Sequence, residues 1–194
     1  MRTERSMVVL GMILIILSAA GCSDSDDTVS APTGAAPCMD EPPTANRFQE
    51  CEKGGNGTIT DTLTGLIWLK AGDCFDRENY DAARAAAGGL KDGDCGLTDG
   101  SSAGEWRLPT KEEWEAVVVL PETFCDFGAV HLPNALGDNC WSEDDAFTGA
   151  YASAYWSSTS GSSSSFAWIV YLHDAYFTPD VKTDLNYVWA VRSF

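Results

Sequence analysis

The sequence predicts an α+β domain: a twisted, mainly antiparallel sheet carrying two helices, with long loops held by disulfides. Three observations predict it. Short runs of β-branched and aromatic residues between Gly and Asn turns occupy both ends of residues 47–194, two helical stretches lie between them, and cysteines punctuate the loops.

The chain opens with Met1-Arg2-Thr3-Glu4-Arg5, an apolar run from Met7 to Leu17, and then Ser18-Ala19-Ala20-Gly21-Cys22. This is the charged, apolar and small-residue order of a secretory signal over residues 1–21. The apolar run falls short of the about 20 residues that a membrane span needs. Gly21-Cys22 resembles a lipobox, although Ala19 stands where such sequences usually carry Leu. The resemblance implies that Cys22 becomes the acylated first residue, each buried CH₂ contributing about 0.8 kcal/mol to anchorage. Ser23, where an Asp would direct inner-membrane retention, is similar to outer-membrane sorting in enteric bacteria. The expected location is therefore the bacterial cell envelope, on the outer membrane, by an N-terminal lipid. Residues 22–46 are rich in Ser, Asp, Thr, Ala and Pro and read as a flexible tether, leaving residues 47–194 as one domain.

The formal net charge is −17, and removal of residues 1–21 takes away two arginines and one glutamate, which makes it −18. A field of that sign disfavours nucleic acid and other polyanions, and leaves cations and neutral or basic partners open. With Cys22 assigned to lipid, Cys38, Cys51, Cys74, Cys95, Cys125 and Cys140 remain, an even number in an exported chain. Six cysteines allow 15 pairings. Sequence order suggests Cys38–Cys51, Cys74–Cys95 and Cys125–Cys140, loops of a length worth roughly 3 kcal/mol each in the chain-entropy model. Zinc is the rival use, but the chain has no Cys-x-x-Cys and only His131 and His173.

Within the domain, Arg47-Phe48-Gln49, Gly57–Asp61 and Leu66–Leu69 read as opening strands around a hairpin. Glu78 to Leu90, rich in alanine and closed by Gly88-Gly89, reads as a helix packing small residues on a sheet. Thr110-Lys111-Glu112-Glu113-Trp114 has the letters of a capping box, so a second helix starts at Lys111 and buries Trp114. Leu120 to Ala154 lacks periodicity and reads as a loop pinned by Cys125–Cys140. From Tyr155 the pattern is a meander through Phe166–Leu172, Tyr176-Phe177 and Tyr187–Arg192, with a Gly/Ser tip at Ser160–Ser165. The Phe166–Leu172 run is apolar on both faces, as in a central strand.

Several segments in this order resemble the Lcl C-terminal domain family over residues 47–194. They are Arg47-Phe48, Asn56–Asp61, Thr64-Gly65-Leu66-Ile67-Trp68, Trp106-Arg107-Leu108-Pro109-Thr110, Tyr155-Trp156-Ser157-Ser158-Thr159 and Val191-Arg192. Arg107–Thr110 followed by Glu113-Trp114 is also similar to a stretch of formylglycine-generating, sulfatase-modifying enzymes. Both resemblances imply a C-type-lectin-like fold, with Trp68, Trp106, Trp114, Trp156 and Arg192 as framework residues. The sulfatase-modifying activity relies on a late cysteine pair, and no cysteine follows Cys140 here. Relatives commonly end in Arg-Cys-Val-Arg where this chain has Trp189-Ala190-Val191-Arg192, so their terminal disulfide is absent.

No nucleophile stands beside a base in a recognisable motif; Ser157-Ser158 and His173-Asp174 lack a Gly-x-Ser-x-Gly context. The expectation is a protein that is not an enzyme, with no obligatory cofactor. Calcium is the candidate cation, with Glu143, Asp144 and Asp145 its best ligand set, though no EF-hand loop or sugar-binding lectin triplet occurs. Of the seven tryptophans, Trp68, Trp106, Trp114, Trp156, Trp168 and Trp189 lie on expected strand or helix faces and belong to the core. Trp141, in the loop beside the acidic triplet, is the one expected to be exposed and available to stack on a sugar. Arg107 reads as one half of an internal ion pair, with carboxylate recognition the functional alternative. The expected function is a lipid-anchored binding or adhesion module for a glycan or a surface protein, using the Leu120–Ala154 loop and the Ser160–Ser165 tip. The alternatives are a sulfatase-modifying type of enzyme and a structural envelope lipoprotein.

Overall fold

The computed structural model describes residues 46–50, 56–118, 125–126, 128–143 and 145–194. The signal, Cys22, nearly all of the tether, the Cys38–Cys51 pairing and Asp144 lie outside the described residues. Among the described residues, seven strands and two helices follow in order: β1 (Phe48–Gln49), β2 (Thr58–Asp61), β3 (Leu66–Leu69), α1 (Tyr80–Gly89), α2 (Lys111–Val117), β4 (Ala154–Ser160), β5 (Phe166–Tyr171), β6 (Tyr176–Val181) and β7 (Val191–Arg192).

The α+β class holds, but the strands form two antiparallel sheets rather than one, in the orders β1-β2-β3-β7 and β4-β5-β6. The expected meander is correct for its first three strands. Its expected last member, Tyr187–Arg192, leaves that sheet: β7 pairs with β3, Ile67 opposite Arg192 and Trp68 opposite Val191. The physical reason is that β2 and β3 are buried along their whole length. The free edge of β3 therefore needs a partner for its backbone groups, and local alternation does not say which edge a strand will join. On its way, the same segment forms a parallel bridge from Tyr187 to Tyr155 and an antiparallel one from Val191 to Arg107. It thereby ties both sheets together.

The hairpin before β2 requires glycine. Gly57 has φ +79°, and a Cβ there would meet the Gly96 carbonyl oxygen at 2.6 Å. Helix α1 starts two residues later than its composition suggests, because the Glu78 backbone bridges to Asn186 and the Asn79 side chain accepts the Ala82 amide at 3.1 Å. Ala83 and Ala87 are fully buried, so small residues bring this helix close to its neighbours. Helix α2 starts at Lys111 with the full capping box, and Trp114 and Val117 are buried.

Trp68, Trp114, Trp189, Phe147 and Tyr155 form the centre of the core. Trp189 has ring centroids 6.4, 5.9, 5.3 and 5.5 Å from Trp68, Trp114, Phe147 and Tyr155. Trp168 is not part of it. It is only half-buried, with the Lys111 ammonium 5.1 Å from its ring centroid. Strand β5 is central in a sheet of only three strands, so Ala167, Ile169 and Val170 are buried while Phe166, Trp168 and Tyr171 stay half-exposed. Cys74 is joined to Cys95 and Cys125 to Cys140, the pairings sequence order suggests, with Cα separations of 5.5 and 5.1 Å.

Candidate functional site

The motif residues Trp106–Thr110 and Trp156–Ser158 are knitted together by hydrogen bonds and an ion pair. Arg107 forms a bidentate pair with Glu113 at 2.7 and 2.6 Å, and the same carboxylate accepts the Thr110 amide at 2.7 Å. Leu108 is buried, and the Pro109 carbonyl accepts the Ser158 amide at 2.7 Å, which fastens the entry of α2 to β4. Trp114 Nε1 donates to the Trp156 carbonyl, Trp156 Nε1 to the Glu78 carbonyl, and Trp106 Nε1 to Ser101. Arg192 pairs with the buried Asp99 at 3.1 Å and lies over the Trp106 ring. Trp68 packs 5.1 Å from Trp114, and the Ser157 hydroxyl accepts the Thr159 amide. Arg107 borders an open depression of about 310 Å³, but its guanidinium is committed to Glu113.

That pairing has a measurable consequence. Burial by itself pushes the Glu113 carboxyl up, yet the Arg107 hydrogen bonds, the Thr110 amide and hydroxyl and the guanidinium charge outweigh it and hold the carboxyl below its ordinary value. The Arg107 guanidinium is correspondingly held protonated more firmly, chiefly by its hydrogen bonds to Glu113. A carboxyl that ionises more readily folded than unfolded gives stability that is fully present above the unfolded value of about 4.3. That stability is lost as the pH falls through the lower folded value. Glu113→Gln is expected to cost about 1 kcal/mol at neutral pH, given an arginine partly open to solvent. In urea melts at pH 7 and pH 3, the gap between wild type and variant should close at the acidic end.

Between α2 and β4, the described residues 128–143 and 145–153 are fastened by many hydrogen bonds. Asn134 Oδ1 accepts the amides of Gly137, Asp138 and Asn139, and the Trp141 amide donates to the Leu132 carbonyl. Phe147 enters the core, and Ala71 and Thr148 form a parallel bridge. Glu143 accepts the Gly149 amide at 2.8 Å and Asp145 the Ala135 amide at 3.1 Å. Both carboxylates are thus used in building the loop. Among the described residues, no group of three or more His, Cys, Asp or Glu side chains is placed to hold a metal ion. Trp141 departs from its expectation of exposure. It is half-buried against the core, and its indole N–H is donated to the Phe147 carbonyl at 2.9 Å.

Among the described residues of this loop the exposed aromatic is Tyr151, which no motif in the sequence singles out. Its ring stacks on Tyr187 with centroids 4.7 Å apart and planes at 24°. Tyr187 in turn lies 5.3 Å from the fully buried Tyr155, so three tyrosines run as a column from the surface to the core. The Tyr151 amide donates to the Tyr155 hydroxyl at 3.0 Å. Burial pushes the Tyr155 hydroxyl far above its ordinary value, outweighing the hydrogen bond from the Tyr151 amide, and the nearby Tyr187 and Asp73 add to the rise, so it stays neutral. Arg77 lies 5.9 Å over Tyr187 and donates to the Leu185 carbonyl. These residues are scattered over a hundred positions without periodicity, and no local signal in the sequence announces the column.

His173 sits 3.3 Å from Asp174 and edge-on to Tyr171, while His131 is fully buried with neither ring nitrogen hydrogen-bonded. Among the described residues, no serine, threonine or cysteine side chain donates to either imidazole. The exposed tip at 162–165 caps the β4–β5 hairpin.

No curated protein matches the chain. The family model of the Lcl C-terminal domain does match, over residues 57–192. That span runs from the glycine before β2 to the last residue of β7 and takes in every described strand but β1, both helices and the loop between α2 and β4. With this much of its length matched, the chain belongs to the Lcl C-terminal domain family.

Proposed function

We propose that this chain is a lipid-anchored binding or adhesion module of the bacterial cell envelope, with a C-type-lectin-like domain that takes a glycan or a surface protein. The observation that carries the reading is the loop between α2 and β4. Its described residues, held by a disulfide, a bridge to residue 71 and their own side-chain hydrogen bonds, present a pre-ordered surface, and such surfaces lose little entropy on binding. The Gly21-Cys22 pair supports the anchor, and Ser23 supports the outer membrane. Two helices, antiparallel sheets and a disulfide-held loop support the lectin-like architecture.

The test uses cells carrying the full chain, the Cys22→Ala variant, or neither. Expected are membrane retention of the wild type, release of Cys22→Ala, and adherence to glycan- or protein-coated surfaces only with the anchored chain. Membrane retention of Cys22→Ala overturns the anchor. Equal adherence with and without the protein overturns the binding role.

A further inference from the structure

We propose that Tyr151 and Asp73 form a binding site for a neutral carbohydrate, in which the tyrosine ring takes the apolar C–H face of a pyranose and the carboxylate accepts from its hydroxyls. The inference rests on the binding role proposed above and names the ligand class and the site.

The geometry supplies both halves of such a site. Tyr151 is 45% exposed although its lower face is covered by Tyr187, so the open ring face points away from the column. The ring is held by that stack, and its own backbone is held by the buried Tyr155 hydroxyl. An aromatic fixed in this way offers contact area at low entropic cost, which is what makes tyrosine effective in recognition surfaces. Sugars present a flat patch of C–H groups edged by hydroxyls, and a rigid ring beside a hydrogen-bond acceptor matches both.

Asp73 lies in the same neighbourhood, near enough to the Tyr155 hydroxyl to help push it up. Its neighbours Ala71 and Gly72 are tied to Thr148, through a parallel bridge and a hydrogen bond of 2.7 Å from the Gly72 amide. Its carboxylate packs against Gly149, two residues before Tyr151, where φ is +64° and a Cβ would collide with the carboxylate. The space that lets Asp73 lie there exists because residue 149 is glycine. Asp73 is exposed, and none of the described residues donates a hydrogen bond to it or pairs with it. Its oxygens are thus free to accept from a pair of hydroxyls, and carboxylate acceptors make the stronger hydrogen bonds. The formal charge of −17 turns away uronic and sulfated sugars and imposes no such penalty on neutral ones. A protein partner stacking a side chain on Tyr151 is the competing occupant.

The experiment presents the exported chain to immobilised neutral oligosaccharides ending in glucose, galactose, mannose or N-acetylglucosamine. The best binder is then titrated by calorimetry against Tyr151→Ala, Tyr151→Trp and Asp73→Asn. Thermal melts of each variant confirm folding, which substitutions at these exposed positions should preserve. Expected is at least a tenfold loss for Tyr151→Ala, retention for Tyr151→Trp, and a threefold to tenfold loss for Asp73→Asn. Binding to no neutral glycan, or equal binding by Tyr151→Ala, overturns the inference. If cells carrying Tyr151→Ala still adhere as wild type does, this site is wrong while the adhesion role stands; if the wild type adheres to nothing, the role itself has failed.

Discussion

Trp189→Ala is expected to lower the free energy of unfolding by about 3–5 kcal/mol, the range for removing a fully buried aromatic. The ring touches every member of the central aromatic group, and its Nε1 donates to the Leu69 carbonyl at 2.7 Å. Truncation therefore leaves a cavity among four rings contributed by β3, α2, the loop before β4 and β4 itself, and strips a buried carbonyl of its donor as well. Neighbouring backbone cannot collapse into the space without breaking the pairing of β3 with β7. For a domain of ordinary stability, a few to fifteen kcal/mol, this is a large fraction of the total. Urea melts followed by intrinsic fluorescence and circular dichroism would show it as a fall in midpoint with the slope unchanged. A loss under 1 kcal/mol would mean that the ring is not where the core is made.

Asp61→Ala should cost about 3–5 kcal/mol as well, for an electrostatic reason. Asp61 is fully buried at the end of β2 and accepts four hydrogen bonds: Nε and a terminal nitrogen of Arg47 at 2.9 and 2.8 Å, the Leu63 amide at 3.0 Å and the Thr64 hydroxyl at 2.8 Å. Removing it leaves Arg47 largely buried without its counter-charge and undoes the turn into β3. The remaining Arg47 contacts, to the Ala116 carbonyl and over the Phe48 ring, do not replace a carboxylate. Asp61→Ala combined with Arg47→Met should recover part of the loss, because no unpaired charge remains. Recovery will be incomplete, since the Leu63 and Thr64 donors stay unmet. Identical melts of the single and double variants would show that the ion pair contributes nothing beyond the turn.

Features set by neighbours in the chain were legible in the sequence. Thr110 and Glu113 are three residues apart, and the reciprocal capping hydrogen bonds follow from that spacing alone. The strands flanking Thr62–Gly65 and the tip at Ser160–Ser165 are likewise local matters of turn chemistry. What depends on distant partners was not legible. Alternation marks residues 187–192 as extended but does not say that they would abandon the meander for β3. Trp168 and Trp141 share the apolar character of the core tryptophans, and their burial is set by how far a three-stranded sheet and a folded loop reach. The tyrosine column is the extreme case, since Tyr151, Tyr155 and Tyr187 become neighbours only once the end of the chain crosses β4.

The hydrogen bond from Trp189 to Leu69 joins positions 120 residues apart, and β7 completes a sheet whose other three strands are formed from residues 48–69. Bringing such remote partners together costs loop-closure entropy before any contact repays it, which slows the final consolidation. A nascent polypeptide would therefore carry an unfinished first layer, its Trp68 side unsealed, until nearly everything downstream had emerged. The order of assembly is set by connectivity: the earliest strands made are the last to be locked.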